Sequence, residues 1–174
     1  MVVALLTFAV LVVTLMSCVS DIRTLRIPNS YVIAVAAFFI VAYAWDPGAF
    51  GRWWEHLGAL VAIFVITYVM FCLGMMGGGD AKMGSALALW VGLKGILPYV
   101  IYMGIAGGVV GVLSLFFRKK KLFRNPRPGS WIAVVQDGGN AVPYGIAISI
   151  GAWAGLFHTG FLPQQLHELI KTIH

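Results

Sequence analysis

Long stretches without any charged residue are the feature that most constrains how this chain can fold. Residues 1–20 contain no Asp, Glu, Lys or Arg, and several comparable runs follow. Only 10% of the 174 residues are charged and 60% are hydrophobic, whereas soluble proteins carry about 25% charged residues. The sequence therefore argues against a soluble monomer, a disordered chain or a secreted disulfide scaffold, and predicts an all-α polytopic membrane protein.

Apolar runs of membrane-crossing length divide the chain into six predicted helices. A helix needs about 20 apolar residues to cross the hydrocarbon core. The run over residues 83–117 is too long for one crossing, so we place a turn at Pro98, which disfavours a helix interior. We predict one bundle, a single domain over residues 1–174, with spans at about 1–20, 27–45, 57–76, 81–97, 99–117 and 141–160.

The basic residues predict the orientation of this bundle. Lys and Arg concentrate in cytoplasmic loops, and with the N-terminus outside, nine of the twelve fall there, mostly in the polar loop 118–140. We therefore predict that both termini lie outside. Residues 1–20 contain no Lys or Arg, whereas a signal peptide begins with a basic segment. We therefore expect a retained span and not a cleaved signal peptide. The basic run from Arg118 to Arg127 follows a span directly, which favours anionic lipid headgroups over nucleic acid as its partner.

Two of the six acidic residues stand at the predicted cytoplasmic ends of helices. Asp21 closes the first span and Asp80 follows the third, so both lie at one depth on one side. An ionisable group at the edge of the hydrocarbon is a functional candidate, although each Asp could instead cap a helix or pair with Arg23 or Lys82. Two adjacent carboxylates cannot both ionise easily, so one keeps a proton. Such a pair can activate water and protonate a peptide carbonyl without a metal or cofactor.

Three consecutive glycines precede the second carboxylate. Gly77, Gly78 and Gly79 carry no side chains, so the backbone before Asp80 can loosen and another chain can approach closely. A peptide bond inside an intact helix is shielded from attack, so an extended substrate needs such access. The glycines therefore favour a peptidase over an inert helix contact.

Two local motifs resemble the signatures of type IV prepilin peptidases, a GxGD class of membrane aspartic peptidases. Residues 21–29 begin with Asp and end in Ile-Pro-Asn, which is similar to the first signature. Residues 77–83 read Gly-Gly-Gly-Asp-Ala-Lys-Met and resemble the second, while residues 142–147 resemble a weaker third feature. The order of the motifs and the six-span layout are also similar to those of the family.

The resemblance implies an endopeptidase that removes the short basic leader of prepilins and pseudopilins. The active site would face the cytoplasm from a bacterial or archaeal inner membrane. It implies a catalytic pair and a set of residues that shape substrate access: Asp21 and Asp80 for the former, and Pro28, Asn29, Gly77, Gly78 and Gly79 for the latter. Lys82 would either tune Asp80 or meet a Glu of the substrate.

The chain departs from the larger members of the family in its cysteines. Those members carry paired CxxC motifs and also methylate the new pilin N-terminus, whereas this sequence has only Cys18 and Cys72, without ligand spacing. It resembles the short, peptidase-only branch that serves tight-adherence (Flp-type) pili, so neither methyltransferase activity nor a metal or cofactor is implied.

Two other functions remain open from the sequence. The same two aspartates could form a proton relay in a small transporter or channel. A non-catalytic protein of a pilus or secretion machine could also keep this fold.

Overall fold

The computed structural model describes residues 1–173, and the regular structure in that range is entirely helical. The predicted all-α fold is thereby confirmed. The helices are α1 (Val2–Thr24), α2 (Asn29–Trp45), α3 (Pro47–Phe50), α4 (Trp53–Cys72), α5 (Gly78–Lys120), α6 (Trp131–Gln136), α7 (Tyr144–His158) and α8 (Phe161–Ile173).

Helix α5 reverses direction at Gly92, which has φ 65° and ψ 174°. The hydroxyl of Tyr99 donates to the carbonyl oxygen of Gly84 at 2.9 Å, whereas fifteen residues of straight helix would span about 22 Å. The chain therefore folds back into a first arm (residues 78–91) and a second arm (residues 93–120). The turn predicted at Pro98 was wrong, because proline holds φ near about −65° and the reversal needs a positive φ that glycine adopts.

Among the described residues, three helices are long and apolar enough to cross a membrane, namely α1, α4 and α5 when its two arms are taken together. A fourth crossing results if α7 and α8, bent by 78° at their junction, act together. Helix α2 is apolar but shorter, at 17 residues. The six spans and the outside termini therefore remain predictions.

The first arm of α5 is the central helix of the bundle. Nearly every residue from Asp80 to Val91 is buried, and Trp90 donates its indole N–H to the carbonyl oxygen of Val35 in α2 at 3.0 Å. The second arm lies along α7 in the opposite direction, where a Cβ at Gly151 would stand 2.6 Å from the Tyr99 carbonyl oxygen. Small residues thus let these two helices approach backbone to backbone.

Candidate active site

Asp21 lies in the last turn of α1 and is only 3% exposed. Its Oδ2 accepts a hydrogen bond of 2.8 Å from the backbone N–H of Gly145, the second residue of α7. The first N–H groups of a helix have no intrahelical partner and favour an anion. The start of α7 therefore supplies the donor that compensates for burying this carboxylate.

Asp80 lies in the first turn of α5, three residues after the N-cap Gly77, and is 7% exposed. Its Oδ2 lies 2.7 Å from the point that a Cβ on Gly77 would occupy, so the carboxyl group folds back over the helix start. Within the described residues, its buried Oδ1 has no hydrogen-bond partner. A buried oxygen without a hydrogen-bond partner lowers stability, and such atoms often belong to ligand-binding or catalytic groups.

The three glycines bring parts of the chain together. A Cβ at Gly79 would lie 3.2 Å from the backbone carbonyl oxygen of Ile27, and one at Gly78 would lie 3.3 Å from the ring of Phe71. Both glycines are inside the first turn of α5. Their common effect is close approach: the α1–α2 connection and the end of α4 pack directly against the start of α5.

The fold brings Asp21 and Asp80 together although 59 positions separate them. Both line one cavity of about 240 Å³, and the two carboxyl groups interact electrostatically. Two buried carboxylates at such proximity cannot both be charged at low cost, so the pair is suited to hold one shared proton. The arrangement has the chemical parts of a general acid and a general base.

This cavity continues on both sides into an open groove, which we name the aspartate groove. One extension, of about 460 Å³, is lined by Pro28, Asn29 and residues 77–80. The other, of about 450 Å³, follows the second arm of α5 to Arg118 and is bounded by residues 139–142 and Tyr144. Because the three cavities share lining residues, they form one continuous groove that passes both aspartates.

A small second core holds one wall of the groove. The indole N–H of Trp131, in α6, is within hydrogen-bond distance of Ser114 Oγ at 2.9 Å and of the Ala141 carbonyl oxygen at 3.1 Å. Trp131 also packs against Val110 and Val135. The predicted polar loop 118–140 thus contains a short helix that fixes the segment leading into α7.

Most residues predicted for the site line the groove. Lys82 differs, since its amine lies 3.3 Å from Asn29 Oδ1 in an exposed position at the rim. Gly145 was not predicted as a site residue, although residues 142–147 resemble a weaker family feature, because the role of a backbone N–H depends on the fold. The signal that could have found it is Pro143, which precedes a new apolar helix and marks where unpaired N–H groups gather.

Metal ligands do not cluster in the part of the chain that the structure describes. No group of three or more His, Cys, Asp or Glu side chains is placed to hold a metal ion there.

Comparison with known proteins gives one family and one curated relative. The model of the type IV leader peptidase family matches residues 7–112, more than half of the chain. The prepilin leader peptidase/N-methyltransferase of Xanthomonas campestris pv. campestris is 33% identical over 82 residues, which are 47% of this chain and 23% of the relative. The match thus spans about a quarter of that relative's length. No solved structure matches the chain.

Proposed function

Because the chain belongs to the type IV leader peptidase family, we propose that it is a membrane aspartic endopeptidase. It removes the short basic leader from type IV or Flp-type prepilins and pseudopilins. The observation that carries this proposal is the meeting of Asp21 and Asp80, two buried carboxyl groups from distant helices, in one open cavity. The proposal covers leader removal alone.

The reaction needs only the two carboxyl groups and water. The charged aspartate takes a proton from water as the water oxygen attacks the scissile carbonyl carbon, and the protonated aspartate gives its proton to the carbonyl oxygen. The tetrahedral intermediate then collapses and the C–N bond breaks. The leaving nitrogen receives the proton that the first aspartate took from water. The other aspartate, which had protonated the carbonyl oxygen, takes that proton back as the carbonyl group re-forms. The pair of aspartates therefore ends with its original single proton.

The aspartate groove supports an extended substrate. Gly77, Gly78 and Gly79 form its floor beside Asp80, and Pro28 and Asn29 form the adjoining wall. The Lys82 amine lies beside Asn29 in an exposed position at the rim of the groove, and it forms no buried ion pair with Asp80. This position supports contact with a Glu of the mature pilin more than tuning of Asp80.

The orientation completes the proposal. Six spans with both termini outside would place the aspartate groove at the cytoplasmic face of a bacterial or archaeal inner membrane, where leaders are exposed. The exposed basic run from Arg118 to Arg127 would then contact anionic headgroups, at about 1 kcal/mol for each residue near the surface.

Co-expression with a prepilin tests this function. Wild-type protein should shorten the prepilin by its leader, while Asp21→Asn and Asp80→Asn should leave it intact. Asp137→Asn is the matched control, because Asp137 is an exposed carboxylate outside the groove, and it should cleave like wild type. Aspartate-dependent ion flux without a cleaved product would contradict the proposal and favour a transporter.

A further inference from the structure

The contacts of Gly145 go beyond one hydrogen bond to Asp21. Its carbonyl oxygen accepts from Ser149 Oγ at 2.6 Å, one turn along α7, and faces Cys18 Sγ at 3.2 Å. Cys18 lies one turn before Asp21 on α1, and its sulfur is also 2.9 Å from Ser149 Oγ. Side chains from α7 and α1 therefore contact the carbonyl oxygen of Gly145, while its N–H donates to the carboxylate of Asp21.

The space around Gly145 is too tight for a side chain unless Asp21 moves. A Cβ at this position would lie 3.0 Å from Asp21 Oδ2 and 3.1 Å from Asp21 Cβ. Such distances are shorter than ordinary van der Waals contact, so any larger residue must push the carboxyl group aside. The glycine is required by the position of Asp21 itself, and its φ is not in the left-handed region.

Resting on the proposed function, we propose that Gly145 is the positioning residue of Asp21. Its N–H fixes Oδ2, which leaves Oδ1 available to the cavity shared with Asp80. Ser149 and Cys18 fix the Gly145 carbonyl and thereby the start of α7. The position of Asp21 Oδ2 is thus fixed by the backbone of Gly145, and only Oδ1 of Asp21 takes part in proton transfer.

The proposal predicts a loss of turnover without a loss of binding. Displacement of a catalytic group by a few tenths of an ångström to 1 Å costs on the order of 10- to 100-fold in rate. We expect Gly145→Ala to lower kcat at least about tenfold and to leave KM within about twofold, since Gly145 does not line the aspartate groove.

Gly155→Ala is the matched control on the same helix. A Cβ there would lie 2.8 Å from Val91 Cγ1 and 3.0 Å from the Gly95 carbonyl oxygen, which is similar crowding at the far end of α7. It should lower the temperature of thermal unfolding and keep the wild-type kcat and KM. A merely structural role for Gly145 predicts that both variants behave alike.

A second variant removes the support of Gly145 without crowding. Cys18→Ala with Ser149→Ala deletes the side chains that hold its carbonyl oxygen, and should lower kcat severalfold at unchanged KM.

The experiment measures kcat, KM and thermal unfolding for these proteins in liposomes with one prepilin. A Gly145→Ala variant with wild-type kcat, or equal kcat losses in Gly145→Ala and Gly155→Ala, would overturn the positioning role while wild-type cleavage upholds the function. If Gly145→Ala does not fold, an unchanged kcat in the double variant overturns it. Wild-type protein that leaves the prepilin intact overturns the proposed function, and this inference with it.

Discussion

The two ends of the bundle are built in opposite ways. Cavities occur at both ends, but the end that holds Asp21 and Asp80, the aspartate end, has consecutive glycines and a buried carboxyl oxygen without a partner among the described residues. The opposite end, the aromatic end, packs rings against rings: the centroid of Phe50 lies 5.4 Å from that of Phe39, 5.8 Å from that of Trp90 and 5.0 Å from that of Phe161.

The polar groups of the two ends differ as well. At the aromatic end the buried ring of His56 has both nitrogens on backbone carbonyl oxygens, at 2.6 Å from Leu89 and 3.0 Å from Phe50. This ring packs beside Gly92, where the chain reverses and carbonyl groups lose their helical partners. We therefore expect substitutions where α5 turns to lower stability, and substitutions where α5 begins to lower activity.

The largest effect on stability is expected at the aromatic end. Trp90→Ala removes a side chain that is 2% exposed together with its hydrogen bond to Val35. Loss of a buried tryptophan costs about 3–5 kcal/mol of unfolding free energy. Unfolding in detergent should show this loss, while the kcat of the protein that remains folded should stay near wild type. A wild-type unfolding free energy, or a lower kcat in the folded protein, would contradict the assignment of Trp90 to stability alone.

The complementary change is Gly77→Ala at the aspartate end. Its methyl group would lie 2.7 Å from Asp80 Oδ2 and must displace the carboxyl group. We expect kcat to fall about 10- to 100-fold with little change in unfolding temperature. Gly104→Ala serves as the control, because a Cβ there meets no atom within 4 Å, and it should cleave like wild type. Equal kcat values for the two variants would mean that the position of Asp80 is not critical.

A smaller effect is expected at Lys82, on the rim of the groove. If its amine meets a Glu of the pilin, Lys82→Met should reduce cleavage of wild-type prepilin by up to about fivefold, the range of an exposed ion pair. The same variant should cleave a prepilin without that Glu as wild-type protein does. Equal losses on both substrates would exclude the contact.

The smallest effect is expected from the ion pair at the aromatic end. Lys94 and Glu55 lie 3.7 Å apart, with the lysine side chain 76% exposed. Exposed pairs contribute less than about 1 kcal/mol, so Glu55→Gln should hardly change unfolding. A loss comparable to that of Trp90→Ala would show that charge, and not ring packing, stabilises this end.

The sequence singles out the two carboxyl groups that the structure places on one cavity, but not the backbone around them. Asp21 and Asp80 stand out because few charges occur in the chain and each charge near the membrane needs a reason. The sequence predicted the turn at Pro98, whereas the structure has it at Gly92. Proline in a sequence indicates a helix break, but nothing in the sequence indicates which of the 21 glycines has a positive φ. Gly145 lies within the family-like residues 142–147, but its role was not predicted, because its contribution is a backbone N–H and depends on which helix end the fold sets beside Asp21.

The most direct test of the central claim is the rate of leader removal by single and double aspartate variants in liposomes. A dyad that acts as one unit predicts that Asp21→Asn and Asp80→Asn each lower the rate by at least about 100-fold. It also predicts that the double variant falls no further, because residues of one catalytic unit are not additive. A single variant that keeps more than about a tenth of the wild-type rate, or a double variant whose losses multiply, would contradict the claim that these two carboxyl groups share one reaction.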